Sequence, residues 1–144
     1  MPIYMKYPGI KGTVKGKHAG WIELLSAQMG VVRHVTDPSG SGKSPTLNDI
    51  VVTKLPDSTS PGLFSEALNG TGKTVTLEFV DDQGVVYLTM SLENTLISSF
   101  TVSGRGGQDY SAVESLALNF TKISHAKVAA VDTGAEGAKW QMAA

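Results

Sequence analysis

Residues 97–123 have the sequence ISSFTVSGRGGQDYSAVESLALNFTKI, in which two alternating segments flank a glycine-rich turn. Phe100 and Val102 alternate with small polar residues before the turn. After it, Leu116 and Leu118 alternate with alanine and asparagine. A period of two places successive side chains on opposite faces of a β-strand, so each segment predicts a strand with one apolar face. Because glycine and small polar residues favour tight turns, we expect a long antiparallel hairpin with an exposed tip.

The same alternating pattern recurs along most of the chain and predicts a largely β arrangement. Glycine, proline, asparagine and aspartate separate the alternating segments, as expected of turns. The predicted strands cover residues 3–7, 21–34 with bulges, 47–55, 73–80, 85–102 with a break, 113–127 and 139–142.

One helix is predicted, at residues 61–69. Ser60 is a suitable N-cap, and Pro61 fits the first turn, where its missing N–H needs no partner. Gly70 can end the helix after an apolar stripe formed by Leu63, Phe64, Ala67 and Leu68. Many strands with one short helix predict a mainly β fold, a two-sheet β-barrel or sandwich that carries this helix and a long extended loop at residues 36–46.

The composition limits the classes of function. The 144 residues fit one domain, residues 1–144, and 41% apolar residues can supply a core. A formal net charge of -1 gives no electrostatic reason to expect binding to nucleic acid or to an anionic membrane. The absence of cysteine excludes disulfides and thiol catalysis. No segment reaches the roughly 20 apolar residues that cross a bilayer, and the first residues lack the apolar core of a secretory signal.

Two glycine-rich segments resemble phosphate-binding loops. Residues 40–44 (GSGKS) end like a Walker A motif, but Asp37 replaces the first glycine and Pro45 opposes the helix that should follow. Residues 67–74 (ALNGTGKT) fit a relaxed motif, yet they join a predicted helix to a predicted strand, the reverse of the order that phosphate binding uses. A helix-to-strand turn is therefore favoured, and nucleoside triphosphate binding through residues 70–74 is the less favoured alternative.

The remaining titratable residues form no catalytic or metal-binding motif. His18, His34 and His125 lack metal-ligand spacing and are predicted to be solvated or to lie at strand edges. Two acidic pairs have the composition of a turn and of a solvated tail, namely Asp81 with Asp82 and Asp132 with Glu136. No serine lies in a nucleophile motif. We therefore predict no catalytic residues, no metal site and no cofactor.

Several motifs resemble the haemolysin-coregulated proteins (Hcp), the tube-forming subunits of type VI secretion systems. Residues 103–109 (SGRGGQD) and 114–120 (ESLALNF) are similar to that family's glycine turn and the strand that follows it. Residues 53–63 (TKLPDSTSPGL) are similar to its Lys-x-x-Asp-x-x-Ser-Pro-x-Leu approach to the helix. Further similar stretches lie near both ends, so the resemblance covers nearly the whole chain.

The resemblance implies a structural protein rather than an enzyme. Six copies would form a ring, rings would stack into a tube, and the tube would carry effector proteins in its lumen. The spike and sheath of the secretion machine would be further partners. The protein would be cytoplasmic before firing and then secreted without a cleavable signal peptide. A phage or phage-like tail-tube protein follows the same architectural logic and stays open as an alternative that gene neighbours would separate.

Ring assembly requires two different complementary surfaces on each subunit, and stacking requires contacts on both ring faces. Loops are suited to these contacts, and the predicted interface residues lie in two of them: Asp37, Ser39 and Lys43 in the extended loop, and Arg105, Gln108 and Asp109 at the hairpin turn. Arg105 and Asp109 are candidates for a salt bridge at a ring face. Gln28 is the predicted lumen-facing residue for effector contact.

Overall fold

The computed structural model describes residues 2–32, 46–128 and 138–140, which form antiparallel β-strands and one α-helix, α1 (Ser60–Asn69). The strands are β1 (Ile3–Lys6), β2 (Ile22–Leu24), β3 (Ser26–Gln28), β4 (Val31–Val32), β5 (Thr46–Leu47), β6 (Ile50–Lys54), β7 (Lys73–Val80), β8 (Val86–Arg105), β9 (Ser111–Asn119), β10 (Lys122–Val128) and β11 (Ala138–Trp140). The predicted mainly β fold with one short helix is confirmed. Most of the extended loop predicted at 36–46 lies outside the described residues.

The long strand β8 organises the sheet. One of its edges pairs first with β10 and then with β9, so β9 and β10 together form the return arm of a single long hairpin. Its other edge pairs with β7, and that ladder ends where Lys73 meets Thr95. A bulge at Asn94, whose φ is 53°, replaces the break that the sequence predicted in this strand.

The described strands build one nine-stranded sheet and a separate two-stranded pair, β4 with β5. The main path runs β2-β1-β7-β8-β9-β6-β3, and its two ends are consecutive in the chain. Leu25 separates them, and its N–H donates to the Thr53 carbonyl over 2.7 Å. Residues 22–28 therefore pair with β1 at one end and β6 at the other, so a single sheet wraps the core where two sheets were predicted. No ladder joins β2 to β6 among the described strands.

Three predicted strands are divided in the structure. Residues 21–34 contain β2, β3 and β4, since the strand changes partner at Leu25 and stops again before Val31. The predicted strand at 47–55 is interrupted before Ile50. Residues 113–127 divide at Thr121, whose N–H donates to the Glu93 carbonyl over 3.1 Å. Alternation could not predict these divisions, because it does not report which neighbour a strand pairs with.

Helix α1 begins one residue earlier than predicted, and Thr59 rather than Ser60 is its N-cap. The predicted apolar stripe is only partly buried. Leu63 is fully buried, whereas Phe64 and Leu68 are 51% and 66% exposed. Phe64 and Leu68 lie about 100° and about 140° around the helix from Leu63, beyond the part of α1 that faces the sheet.

Apolar side chains from the sheet and the helix form the core. Fifteen buried residues make one cluster: Met5, Tyr7, Ile22, Leu24, Ile50, Val52, Leu63, Val75, Leu77, Met90, Leu92, Ile97, Leu116, Leu118 and Ile123. Most alternate with half-buried or exposed residues along their strands, as the period of two predicts. None of the helices in the described part of the chain is long and apolar enough to cross a membrane.

Candidate functional site

The hairpin of β8 and β9 projects beyond the rest of the sheet. The last neighbour of β9 on its other side is Lys54 of β6, which pairs with Glu114. Beyond that pair, residues 102–114 form a two-stranded ribbon, here called the hairpin arm, with no further strand beside it among the described residues. Residues 101–111 are all exposed. The predicted exposed hairpin is therefore present, and it reaches away from the core.

The tip of the hairpin arm holds the interface residues predicted for this turn. Arg105 closes it by donating from Nε to the backbone carbonyl of Asp109, over 3.2 Å. The predicted salt bridge to the Asp109 carboxylate is not formed within the chain, so both charged groups face solvent together with Gln108. Tyr110, 81% exposed, is the most open of the large apolar side chains. The role of these residues in a ring contact stays a prediction.

Four strands, β3, β6, β9 and the outer half of β8, share a face that points away from the core. Two cross-strand rows form this outer face: Gln28, Val51, Ala117 and Ser99, and Ser26, Thr53, Ser115 and Thr101. All eight side chains are small or uncharged. Gln28 is exposed at one end of it. The Asp49 carboxylate lies at the border and accepts hydrogen bonds from Ser98 and Asn119 at 2.7 and 2.9 Å.

Two strand edges bound the outer face. β3 pairs only with β6, and β8 has no partner opposite β9 beyond Thr95 within the described ranges. Unpaired edges expose a row of N–H and C=O groups that can pair with another chain. The outer face thus ends at two strand edges, and the N–H and C=O groups of one edge can pair with those of the other.

A buried polar cluster lies on the opposite side of the sheet, at the base of the hairpin arm. Lys54 is fully buried and Glu114 is 3% exposed, and Lys54 Nζ lies 2.8 Å from Glu114 Oε1. Lys54 Nζ also donates to the Leu55 carbonyl at 2.8 Å and to Asp57 Oδ1 at 3.1 Å. Ser60 Oγ donates to Glu114 Oε1 over 2.9 Å. We call Lys54, Asp57, Ser60 and Glu114 the Lys54 cluster.

Asp57 organises the turn that leads into α1. Its Oδ1 accepts hydrogen bonds from the Thr59 N–H, at 2.8 Å, and from the Thr59 hydroxyl. The Ser60 hydroxyl in turn accepts from the Asp57 N–H at 3.0 Å, so Ser60 binds the turn and does not cap the helix. Burial alone would raise the pKa of Asp57, but the hydrogen bonds from Thr59 and Lys54 and the Lys54 charge outweigh it and hold the pKa below 3.8.

Residues 67–74, the relaxed phosphate-loop match, join α1 to β7 as a helix-to-strand turn. Lys73 lies 2.8 Å from Glu66 Oε1, and its Nζ is 5.6 Å from the centre of the Tyr7 ring. Lys73, the residue that would bind a phosphate in such a motif, is therefore already paired with the Glu66 carboxylate. Burial, and then the negative charge of Glu66, raise the pKa of Tyr7 to about 12.

For His18 the sequence predicted a solvated or strand-edge position, and the structure excludes the solvated one. Its side chain is 11% exposed, and its Nε2 lies 2.7 Å from Glu78 Oε1. The ring stacks on Tyr4 at 4.5 Å and meets Trp21 edge-on at 4.9 Å. These contacts fasten the 3-10 turn Gly16–His18 to β1 and β7.

The other predicted residues have mixed outcomes. Asp81 accepts hydrogen bonds from the N–H groups of Gln83 and Val85, as expected of a turn aspartate. Groups of three or more metal-ligating side chains are absent from the described part of the chain. The predicted interface residues Asp37, Ser39 and Lys43 lie outside the described residues, as do His34, Asp132 and Glu136.

Sequence reasoning missed the Lys54 cluster, although both motifs that contain it were noticed. Lys54, Asp57 and Ser60 come from the motif before the helix, and Glu114 begins the strand motif after the hairpin turn. Nothing in either motif shows that they meet. The signal was charge at alternating positions that should face the core, since Lys54 and Glu114 have the same parity as Val52 and Leu116.

Comparisons with known proteins find one family model and several solved structures. A family model described as "Type VI secretion system effector, Hcp" matches residues 4–126. A solved structure described as a type six secretion system protein is 22% identical, with a TM-score of 0.82, and covers 98% of this chain and 95% of its own. No curated protein sequence matches the chain.

Two further solved structures have the same fold. Hcp1 from Salmonella typhimurium is 22% identical with a TM-score of 0.77, covering 97% of this chain and 93% of its own. A type VI secretion system effector from Yersinia pestis is 20% identical with a TM-score of 0.74, covering 97% and 99%. At these identities the structural likeness establishes the fold.

Proposed function

Because the chain belongs to the Hcp family of type VI secretion system proteins, we propose that its 144 residues are one tube-subunit domain, six copies of which close into a ring. Rings stack into the inner tube of the secretion machine. The observation that carries this proposal is the uncharged outer face of four strands, which ends in two edges that have no partner among the described strands.

Ring closure follows from joining those two borders. A ring is built from a heterologous contact, in which one surface of a subunit meets a different surface of the next. The edges of β3 and of the outer half of β8 that no described strand covers are two such surfaces on one continuous sheet. Their contact would continue the sheet from subunit to subunit. Leu96 and Val102 on β8, 42% and 57% exposed, would be covered by the neighbour.

The outer face then lines the lumen. Its side chains present hydroxyl, amide and methyl groups, so a passing protein would meet hydrogen-bonding groups without fixed charge. Such a surface holds cargo weakly and releases it, as a carrier of different effector proteins must. Gln28 is the proposed contact residue because it is exposed at the border of this face.

Stacking uses the loops on the two ring faces. The exposed tip with Arg105, Gln108 and Asp109 is one proposed contact, and the loop that contains Asp37, Ser39 and Lys43 is the other. Exposed ion pairs contribute only about 0 to 1 kcal/mol each, so their sum over the ring symmetry would stabilise a stack.

The proposed role is structural rather than catalytic. The tube is assembled in the cytoplasm, next to the sheath and spike of the machine, and is then exported with its cargo. Partners are therefore proteins, namely further copies of the chain, effectors and the components that surround the tube.

Mass and imaging test the assembly. We expect native mass spectrometry of the purified protein to show a six-subunit species, and negative-stain images to show rings. Val102→Lys should abolish the ring because it places a charge on the proposed contact. Val85→Lys is the matched control, since Val85 is 56% exposed and lies in the turn before β8. A strict monomer at high concentration, or equal loss of rings in both variants, would refute the proposal.

A further inference from the structure

We propose that the Lys54 cluster fixes the direction in which the hairpin arm projects, and so positions the arm's share of the proposed ring contact, which is the outer edge of β8 from Val102 to Arg105. The effect on ring formation rests on the proposed function, whereas the direction of the hairpin arm is a property of the single chain. It follows from where the cluster lies, how completely it is buried and what it joins.

The cluster lies at the last point where the hairpin arm pairs with a third strand among the described residues. Lys54 is the end of β6, and its backbone partner Glu114 is the final residue of β9 that pairs with a third strand. Beyond this pair, the described strands leave the arm two strands wide. A two-stranded ribbon in water is marginally stable by itself and twists easily, so its direction depends on how its base is held.

A small tilt at the base of the hairpin arm produces a large displacement at its tip. Strands rise about 3.3 Å per residue, so the tip at Gly107 is roughly 15 Å beyond the cross-strand partners Val102 and Glu114 at the base of the arm. A tilt of about 10° at the base would therefore move the tip by roughly 2 to 3 Å. A ring contact repeated around a closed symmetry tolerates little such error, because each subunit must present both surfaces at a fixed angle.

The cluster holds the base from two directions. Glu114 Oε1 accepts from Lys54 of the adjacent strand at 2.8 Å and from Ser60 of α1 at 2.9 Å. Lys54 also donates to Asp57 at 3.1 Å, which ties the same point to the turn before the helix. One carboxylate thus joins the arm to both the sheet and α1. Two directional contacts to separate elements restrict tilt in a way that apolar packing does not.

A buried ion pair is also a poor choice for stability alone. Well-packed apolar residues of similar volume often replace such pairs without loss of stability, so its presence at this position indicates a directional purpose. Another ion pair in the described part of the chain, Lys73 with Glu66, has the same 2.8 Å length but is about one quarter exposed and joins α1 to β7, away from the arm. It provides a matched comparison.

Distance measurement between two spin labels tests the inference. Because the chain has no cysteine, Gln108→Cys on the tip and Thr74→Cys on β7 create the only two labelling sites. Labelled protein is mixed with excess unlabelled protein, so that a ring would contain one labelled subunit. We expect a narrow distance distribution in this background, and one about twice as wide after Lys54→Met with Glu114→Leu. The control, Lys73→Met with Glu66→Leu, should leave the width unchanged.

Ring formation gives the second readout. We expect the Lys54 and Glu114 double variant to need a protein concentration about tenfold higher for rings, while circular dichroism shows the same sheet content. If the unlabelled parent protein forms no ring at all, the proposed function fails, and the distance distributions still decide the mechanical inference.

An unchanged distance distribution in the double variant would overturn the inference. If that variant does not fold, Ser60→Ala takes its place, since it removes the hydroxyl that binds Glu114, Lys54 and the Asp57 N–H but keeps the ion pair between Lys54 and Glu114. It should broaden the distribution by less than the double variant but measurably, and a width equal to that of the parent would overturn the inference equally. A broadening that the Lys73 and Glu66 control reproduces would show that any lost ion pair loosens the arm, which also contradicts the proposal.

Discussion

Lys54 and Glu114 carry opposite charges at positions where strand alternation expects apolar side chains. Both are buried, so each depends on the other and on Asp57 and Ser60 for compensation. Removing one member of such a pair leaves a charge in a medium that cannot solvate it. Effects of single and double replacement should therefore differ sharply.

We expect Glu114→Gln to lower the free energy of unfolding by about 3 kcal/mol, because Lys54 keeps only the more exposed Asp57 as a counter-charge. Replacing both residues, with Lys54→Met and Glu114→Leu, should restore most of this loss. Urea unfolding of the single and double variants measures both values. Equal losses in the two would show that the charge itself is not the cause.

Asp57 links the same cluster to acid stability. Its pKa is held below 3.8 in the folded chain, so its contribution to stability is fully present above that value and is lost as the pH falls through the lower, folded pKa. We expect the free energy of unfolding to drop below about pH 4, and to drop less steeply in Asp57→Asn. Unfolding curves between about pH 2 and pH 7 measure the difference in slope. Parallel curves for the two proteins would contradict the assignment.

At the scale of elements, the apolar stripe of helix α1 is divided between the core and the protein surface. Leu63 is buried against the sheet, and Phe64 meets Phe100 edge-on at 5.7 Å near the surface. Leu68 remains 66% exposed. The stripe therefore anchors the helix through only part of its width, and the remainder is surface.

Leu63→Ala and Leu68→Ala remove the same atoms from the same helix. We expect the first to cost about 3 kcal/mol, because it leaves a cavity in a fully packed core. The second should cost less than about 0.5 kcal/mol, because its side chain already contacts solvent. Thermal or urea unfolding of both variants gives the comparison, and similar losses would mean that Leu68 is buried in an assembly.

At the scale of the whole molecule, the proposed ring brings six copies of the outer face together around one lumen. Charge added to this face is then added six times within a confined space. The same charge on a distant turn has no such neighbours. Ring formation should therefore depend on salt concentration when the charge is added to the outer face, and not when it is added to the distant turn.

We expect Gln28→Glu to weaken the ring at low salt and to recover it at high salt, since screening shortens the repulsion between subunits. Gln83→Glu, the same change in the exposed turn before β8, should have no effect at either salt concentration. Size-exclusion chromatography of both variants at two salt concentrations tests this. Normal rings at low salt in Gln28→Glu would place that residue away from the lumen.

The period of two, the turn residues and one helical stripe were enough to determine a mainly β chain, the hairpin at residues 97–123, β7 to the residue and α1 to within one residue. The reason is that these are local patterns, set by which faces of a short segment avoid water. The sequence motifs around Lys54 and Glu114 also indicated the protein family. The tertiary structure alone decided that one sheet wraps the core, that β8 continues through its bulge, and that Lys54, Asp57, Ser60 and Glu114 meet, because pairing between residues as far apart as 54 and 114 depends on the path of the whole chain rather than on any segment of it.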